Sequence, residues 1–303
     1  MLDPHSPGAQ AIAALFTNFL ILAAVIFSIV AALVAYGLVR YRVRPGVGEP
    51  AQRFGSRRAE TTWTTLALLI VIALFAVTLK TMAFVDAPLE PNRAPDLTIV
   101  GHQWWWEARY PNGAVTANEI HVPAGQRWLA RIESADVIHD FWAPQLARKM
   151  DAVPGRSGYI WLEADHAGTY SGACSEFCGM QHAWMHFQVI AEAQTEFSAW
   201  LQHQAEPPPQ PTGLAAQGAR LFEQHKCFDC HTVSVNDAKP RIGPPLTHVA
   251  SRKLLGGDLP TNAENLRRWI VSPQSIKPGN RMPDSHLTSA DIEALTAYME
   301  TLR

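Results

Sequence analysis

Cysteine is scarce: 303 residues hold four, in two tight pairs, Cys174 with Cys178 and Cys227 with Cys230. A disulfide framework scatters its cysteines, so each pair reads instead as a cofactor site. Net charge is nearly absent as well, because 25 Lys and Arg against 27 Asp and Glu leave −2 at pH 7. Without a long basic run to track a phosphate backbone, nucleic acid is excluded as a partner. Internal repeats are also missing. Charge is lacking altogether over the 29 residues from Ala11 to Val39 and the 19 from Thr61 to Leu79. As helices these stretches measure roughly 43 Å and 28 Å, enough for a hydrocarbon core about 30 Å thick.

Both stretches are read as membrane spans. The first is too long for a cleavable signal peptide and has no basic leader, since only Asp3 carries charge before Ala11. Between the spans lie Arg40, Arg42, Arg44, Arg53, Arg57 and Arg58. By the positive-inside rule that loop is cytoplasmic and both termini face outward. The expectation is a multi-pass protein of a bacterial inner membrane, with everything beyond about residue 81 on the periplasmic side. That compartment is an oxidising one.

Short apolar runs at Leu97 to Val100, Arg127 to Ile132 and Tyr159 to Leu162 follow, separated by Pro-Asn-Gly at 111–113, Pro-Ala-Gly at 123–125 and Pro-Gly-Arg at 154–156. This is the punctuation of a β-sandwich. Gln202 to Gly213, with Pro207, Pro208, Pro209 and Pro211, reads as an extended linker reaching roughly 35 Å. Beyond it, Leu214 to His225, Asn262 to Val271 and Ser289 to Leu302 carry apolar residues at helical spacing, with Ser289, Asp291 and Glu293 marking a helix start. About 90 residues make a thin core for a domain unaided. The predicted organisation is a two-span hairpin over 1–94, a β-sandwich over 95–201, a linker over 202–213 and an all-α domain over 214–303.

Within twelve residues, Cys174-Ser-Glu-Phe-Cys178-Gly-Met-Gln-His182-Ala-Trp-Met185 gathers two thiolates, an imidazole and a thioether. Soft donors beside imidazole favour copper over magnesium or calcium. A mononuclear blue-copper site needs one Cys, two His and a weak Met, so a second Cys points to two bridged coppers. Each metal then needs a terminal nitrogen: His182 supplies one, and His139, near a predicted strand end, is the natural second. A zinc site or a disulfide is the alternative for an isolated C-x3-C.

The loop resembles the dicopper CuA motif of cytochrome c oxidase subunit II. The two spans, the cytoplasmic loop and Gly101-His-Gln-Trp-Trp-Trp106 resemble that family from residue 1 to about 200, which implies a cupredoxin-like fold for the β-sandwich over 95–201. The resemblance implies that Cys174 and Cys178 bridge the coppers, that His139 and His182 are terminal ligands, and that Met185 binds one copper and the Glu176 carbonyl the other. It also implies that the Glu176 side chain reaches a magnesium at the contact with catalytic subunit I, with subunit III a further partner. Quinol oxidases of the superfamily have lost the cysteine pair, so its presence implies a cytochrome donor. Trp104 matches the position where electrons enter, although tryptophans are commonly core or membrane-interface residues. Glu60 resembles the acidic residue at the mouth of a proton-uptake path, its alternative being an ordinary solvated charge.

Cys227-Phe-Asp-Cys230-His231 is the c-type haem attachment pattern: two thiols one turn apart form thioethers, and the histidine faces the iron. Zinc or thiol redox chemistry is the alternative. Met282, in Lys277-Pro-Gly-Asn-Arg-Met-Pro283, is the sixth-ligand candidate, ahead of Met299 on an apolar helical stripe and His286 without flanking prolines. Residues 214–303 resemble a class I cytochrome c, Gly243-Pro-Pro245 matching its haem-edge loop.

The combined expectation is the subunit of a caa-type haem-copper oxidase that passes electrons through haem c and CuA to subunit I, where oxygen reduction is coupled to proton translocation. Rival readings are a CuA-containing nitric oxide reductase subunit and a partnerless membrane-tethered carrier.

Overall fold

A computed structural model of the chain describes residues 3–46, 48–49, 52, 55–87, 92–234 and 242–303; Arg53 of the basic loop lies outside the described residues. The chain divides into two compact units, Gln10–Asp86 and Met1–Ala9 with Ala87–Arg303. The first holds most of helix α1 (Pro7–Arg40, 34 residues) and helix α2 (Arg57–Val85, 29 residues), about 51 and 44 Å long. Both are long and apolar enough to cross a membrane. Their apolar side chains point outward all round, Phe27 being 74% and Leu38 72% exposed, as expected of helices whose solvent is hydrocarbon. Hydroxyls inside them are satisfied locally: Thr17 Oγ1 donates to Ala13 O and Ser28 Oγ to Ala24 O, at 2.8 and 2.7 Å. Lipid, unlike water, offers no other partner. Ser56 caps α2, accepting from Ala59 N.

In the second unit ten strands form two five-stranded sheets. The first has the order β3 (Val115–Ala117), β2 (Trp105–Arg109), β1 (Leu97–His102), β5 (Trp128–Ser134), β8 (Gly158–Leu162). The second runs β4 (Glu119–Pro123), β10 (His186–Glu192), β9 (Gly168–Cys174), β6 (His139–Trp142), β7 (Met150–Ala152). Gly113, Gly125 and Gly155 all hold positive φ, at 90°, 72° and 75°, which is why the three Pro-containing triplets end strands. Between the sheets the rings of Trp106 and Phe141 meet edge to face at 5.4 Å, and Phe141 stacks on Phe187 at 4.4 Å. Gly172 makes room for this cluster, since a Cβ there would fall 2.1 Å from the Phe187 ring.

Residues 3–9 also belong to this unit. His5 N donates to Gln145 O at 2.8 Å, Asp165 N to His5 O at 2.8 Å, and buried Ser6 Oγ to Leu146 O at 2.6 Å. The segment before α1 is thus stitched to the sandwich.

Helix α3 (Gln194–Gln204) closes the sandwich and runs three residues into the stretch expected to be extended from Gln202. Its end is held because Gln204 is buried and its Nε2 donates to Val115 O at 3.3 Å; residues 205–212 form the irregular connection. The helical domain follows as α4 (Gly213–Gln224), the short hairpin β11 (Leu254–Leu255) and β12 (Leu259–Pro260), α5 (Ala263–Val271), α6 (Pro273–Ile276) and α7 (Ser289–Thr301). Asn262 caps α5; α7 starts at Ser289 as expected, with Thr288 as its cap. Gly218 lets α4 approach α7, for a Cβ there would sit 2.0 Å from Ala294 O. Phe222, Leu266, Leu295 and Met299 make the core, so Met299 is a packing residue, while His286 is exposed.

Trp106→Ala, which empties the centre of the aromatic cluster, is expected to destabilise the sandwich by about 3–5 kcal/mol, measurable by denaturant unfolding followed by circular dichroism.

Candidate metal centres

The first centre is built on one loop and one strand end. Antiparallel strands β9 and β10 pair Ala173 with His186, and Cys174 N donates to Met185 O at 3.0 Å, so the loop begins and ends at one place. Ser175 N donates to Asp140 O at 3.0 Å, tying the loop to β6, whose first residue is His139. A 3-10 turn over His182–Trp184 then bends the chain inward.

The sulfur–sulfur separation of Cys174 and Cys178 is 3.8 Å, and both are free thiols. Cys174 Sγ lies 3.9 Å from His139 Nδ1 and 3.3 Å from Glu176 O. Cys178 Sγ lies 3.7 Å from both His182 Nδ1 and Met185 Sδ. Two donors held at about 2.0–2.3 Å by one transition-metal ion stand roughly 3.3–4.0 Å apart at tetrahedral to trigonal angles. The separations match, and the donor chemistry fits copper. Every residue singled out in the loop is brought together with His139.

Electrostatics prepare the sulfurs. A hydrogen bond from the Cys178 thiol, aided by His139 and opposed by burial, holds Cys174 down to about 3. That bond and burial push Cys178 up. Burial lowers His139, but Asp136 and the Cys174 sulfur outweigh it and its pKa is raised. The fully buried His139 has its Nε2 2.8 Å from Asp136 Oδ1, which leaves Nδ1 facing the sulfurs. Asp136 is itself fixed by Gln103 N and Val137 N, each donating at 2.7 Å. Gly101 gives the imidazole its place, since a Cβ there would come 2.8 Å from His139 Cδ2. Neither Asp136 nor Gly101 was found by motif, although Gly101 opens the Trp-rich stretch.

The three consecutive tryptophans have three environments. Trp106 is core and Trp105 is buried with its Nε1 donating to Ile242 O at 3.3 Å. Half-buried Trp104 donates its indole N–H to Cys178 O at 3.0 Å. Glu176 is exposed on the copper loop, and Glu60 is exposed in the first turn of α2.

The second centre is a cavity of about 470 Å³ lined by Phe222, Leu246, Leu266, Leu295, Cys227, Cys230, His231 and Met282, apolar and within the range of cofactor pockets. A 3-10 turn over Cys227–Asp229 sets the two thiols on one wall, and His231 N bonds Cys227 O at 3.0 Å. His231 Nδ1 faces Pro244 O at 2.7 Å, so Nε2 is left for a metal. Burial keeps the imidazole pKa down, which favours the ligating neutral form. Gly243 is the cradle, because a Cβ there would fall 2.4 Å from His231 Cε1. Opposite, Gln274 donates to Met282 O and Asn280 O at 2.7 and 2.8 Å, and Asn280 Oδ1 accepts from Met282 N. Gln274 and Asn280 shape the methionine loop without any motif that marks them. The residues fit a haem. Trp104 and Trp105 line the same cavity.

Residues 114–192 match the family described as cytochrome c oxidase subunit II, periplasmic domain, and residues 215–303 match cytochrome c. Cytochrome c oxidase subunit 2 of Alkalihalophilus pseudofirmus is 36% identical, the alignment covering 100% of this chain and 90% of that protein. The chain belongs to the cytochrome c oxidase subunit II family. A quinol oxidase subunit 2 of Bacillus cereus is 29% identical over 70% of this chain and 75% of that one. The periplasmic domain of cytochrome oxidase subunit II from Bradyrhizobium japonicum is 30% identical, with TM-score 0.35, covering 38% of this chain and 95% of that domain. This subunit II is the fusion expected of a caa-type enzyme: a membrane-anchored component of an oxidoreductase complex, partnered by subunit I, with a periplasmic-side copper domain followed by a haem domain.

Two substitutions test the outer contacts. Asp136→Asn is expected to lower copper affinity about 10–100-fold, read by competition with a chelator while the circular dichroism of the sandwich stays unchanged. Gly243→Val is expected to push His231 off its position and convert the haem from low to high spin, read in the optical spectrum.

Proposed function

We propose that this chain accepts electrons from a c-type cytochrome or other respiratory donor and passes them from its cytochrome domain to its copper domain and on to subunit I. When bound, haem c and the dicopper pair supply one-electron chemistry, while reduction of oxygen to water coupled to proton translocation takes place in subunit I, with subunit III as a further partner. The observation that carries this reading is Trp104, whose ring lines the haem cavity and whose N–H donates to the carbonyl of Cys178. One side chain touches both candidate centres.

Cys227 and Cys230 would hold the haem covalently, and His231 and Met282 would hold its iron for electron transfer. Cys174, Cys178, His139, His182, Met185 and the Glu176 carbonyl would hold the copper pair, the donors being supplied by the chain itself. Sites closed in this way move electrons rather than bind substrate. The exposed Glu176 carboxylate suits a magnesium shared with subunit I, and Glu60 a proton-path entrance. The cysteine pair favours a cytochrome donor over a quinol. The proposed division is hairpin 1–94, copper domain 95–201, linker 202–213 and cytochrome domain 214–303. Stitching of residues 3–9 to the sandwich supports both termini lying on the periplasmic side.

The test is purification of the intact complex. It is expected to consume oxygen, and Cys178→Ser is expected to abolish both copper binding and oxygen consumption while the haem remains reducible. Consumption of nitric oxide instead of oxygen would move the chain to the reductase reading, and purification without a haem-bearing multi-helix partner would make it a carrier.

A further inference from the structure

Lys277 is a buried cation on the wall of the haem cavity, at none of the candidate ligand positions. It is 6% exposed, and its Nζ donates to Trp184 O at 2.7 Å and to Gly256 O at 2.8 Å. Among the described residues no carboxylate reaches it; burial pushes its pKa down to about 8, and Asp258 opposes that only through space. A lysine almost never goes inside unpaired, so the geometry it fixes has to be sought in its two acceptors.

Those acceptors lie outside its own loop. Trp184 belongs to the copper domain, between His182 and Met185; Gly256 lies in the turn between β11 and β12. Lys277 itself begins the loop that leads to Met282. The fold of that loop does not need the ammonium, because Asn280 N and Nδ2 bond the backbone oxygen of Lys277 and Gln274 ties down the remainder. Around the ammonium the two loops interdigitate: Gln181 Nε2 donates to Pro278 O, and Arg281 donates to Gln103 Oε1 with its guanidinium 5.9 Å from the Trp104 ring centroid. Across the hairpin, Glu119 Oε1 accepts from Lys253 N and Leu254 N at 2.7 and 2.9 Å.

We propose that Lys277 is a positioning residue that locks the methionine loop of the cytochrome domain against the copper-ligand loop, so that the domain works docked rather than swinging on its linker. This rests on the electron order proposed above. Replacing the ammonium by a thioether of similar length leaves two buried carbonyls without a donor, and the seam opens. The cytochrome domain then reaches its acceptor only by tethered collision, at a millimolar effective concentration that depends on linker length.

The test uses the full oxidase complex. Haem-to-copper electron transfer is timed after flash reduction in the parent and in Lys277→Met, each with the native connection and with ten Gly and Ser residues inserted after Pro211. Hydrogen exchange at residues 181–185 and 253–257 is followed in parallel. Expected are a parent rate indifferent to the insertion, a rate in Lys277→Met lower by about tenfold or more that falls further with the insertion, faster exchange in both segments, and unchanged haem and copper spectra. A Lys277→Met rate equal to that of the parent, or a parent rate that falls with the longer linker, overturns the proposal. An altered haem spectrum in Lys277→Met also overturns it, since the side chain would then serve Met282. Should that variant not assemble, the parent linker series and its exchange pattern still decide. Absence of any haem-to-copper transfer in the parent defeats the electron order itself.

Discussion

The hydrogen bond from Cys174 N to Met185 O is the constraint on which the rest hangs. It closes a loop between neighbouring antiparallel strands, so the first and last donors of the motif are adjacent by backbone geometry rather than by affinity for a metal. The loop cannot drift, because β9 and β10 stay paired from Ala173 and His186 down to Gly168 and Ala191. Slippage by one residue would turn Phe187 and Val189 out of the core. Aromatic packing in the sandwich is therefore what fixes the sulfurs, and His139 joins them because β6 bonds β9 at Phe141 and Cys174. A rigid donor set is what fast electron transfer needs, since little then rearranges when charge changes.

The seam between the domains follows the same economy of parts. Two of the loops that bear candidate ligands also supply the contact: Trp184 lies between His182 and Met185, and Lys277 begins the run to Met282. Contact and coordination are thus mechanically linked. Acceptors across the seam are of both kinds, the backbone carbonyls of Trp184, Pro278 and Ile242 and the side chains of Glu119, Gln103, Thr169 and Asp258. Lys277 is the cation there that needs explaining, because its burial costs solvation that two carbonyls only partly offset.

Local features were legible in the sequence. The spacing of Cys174, Cys178, His182 and Met185 and the Cys227 to His231 motif are written in adjacent residues, and the chemistry of soft donors reads without coordinates. The two spans and the strand-ending glycines were readable for the same reason. What escaped depends on elements distant in sequence. Asp136 is the local exception: it stands only three residues before His139, in the turn between β5 and β6, but no motif marks it as the partner of that imidazole. Gly101 looks like any strand glycine until the imidazole lies over it. Trp104, Trp105 and Trp106 are indistinguishable as letters, yet the bend before β2 sends one to the core, one to the domain seam and one to the copper loop. Gln204 stays helical beyond the expected start of the linker because Val115 offers it an acceptor. Lys277 reads as a solvated lysine, and nothing local says otherwise.

Two relays on one chain raise the question of what the connection between them has to do. Residues 205–212 span at most about 25 Å if extended, which limits where the cytochrome domain goes but not how it faces. A tether raises encounter frequency, and because its ends move freely it leaves orientation to chance. Orientation here comes from contacts of the opposite kind, short and buried, at the two loops where it matters. Trp104 gains meaning from that division. In a swinging domain it would be an exposed aromatic awaiting any partner; here it is covered by Arg281 and lines the haem cavity. On the proposed electron order an external donor would meet the cytochrome domain first, because the face of the copper domain around Trp104 is already taken.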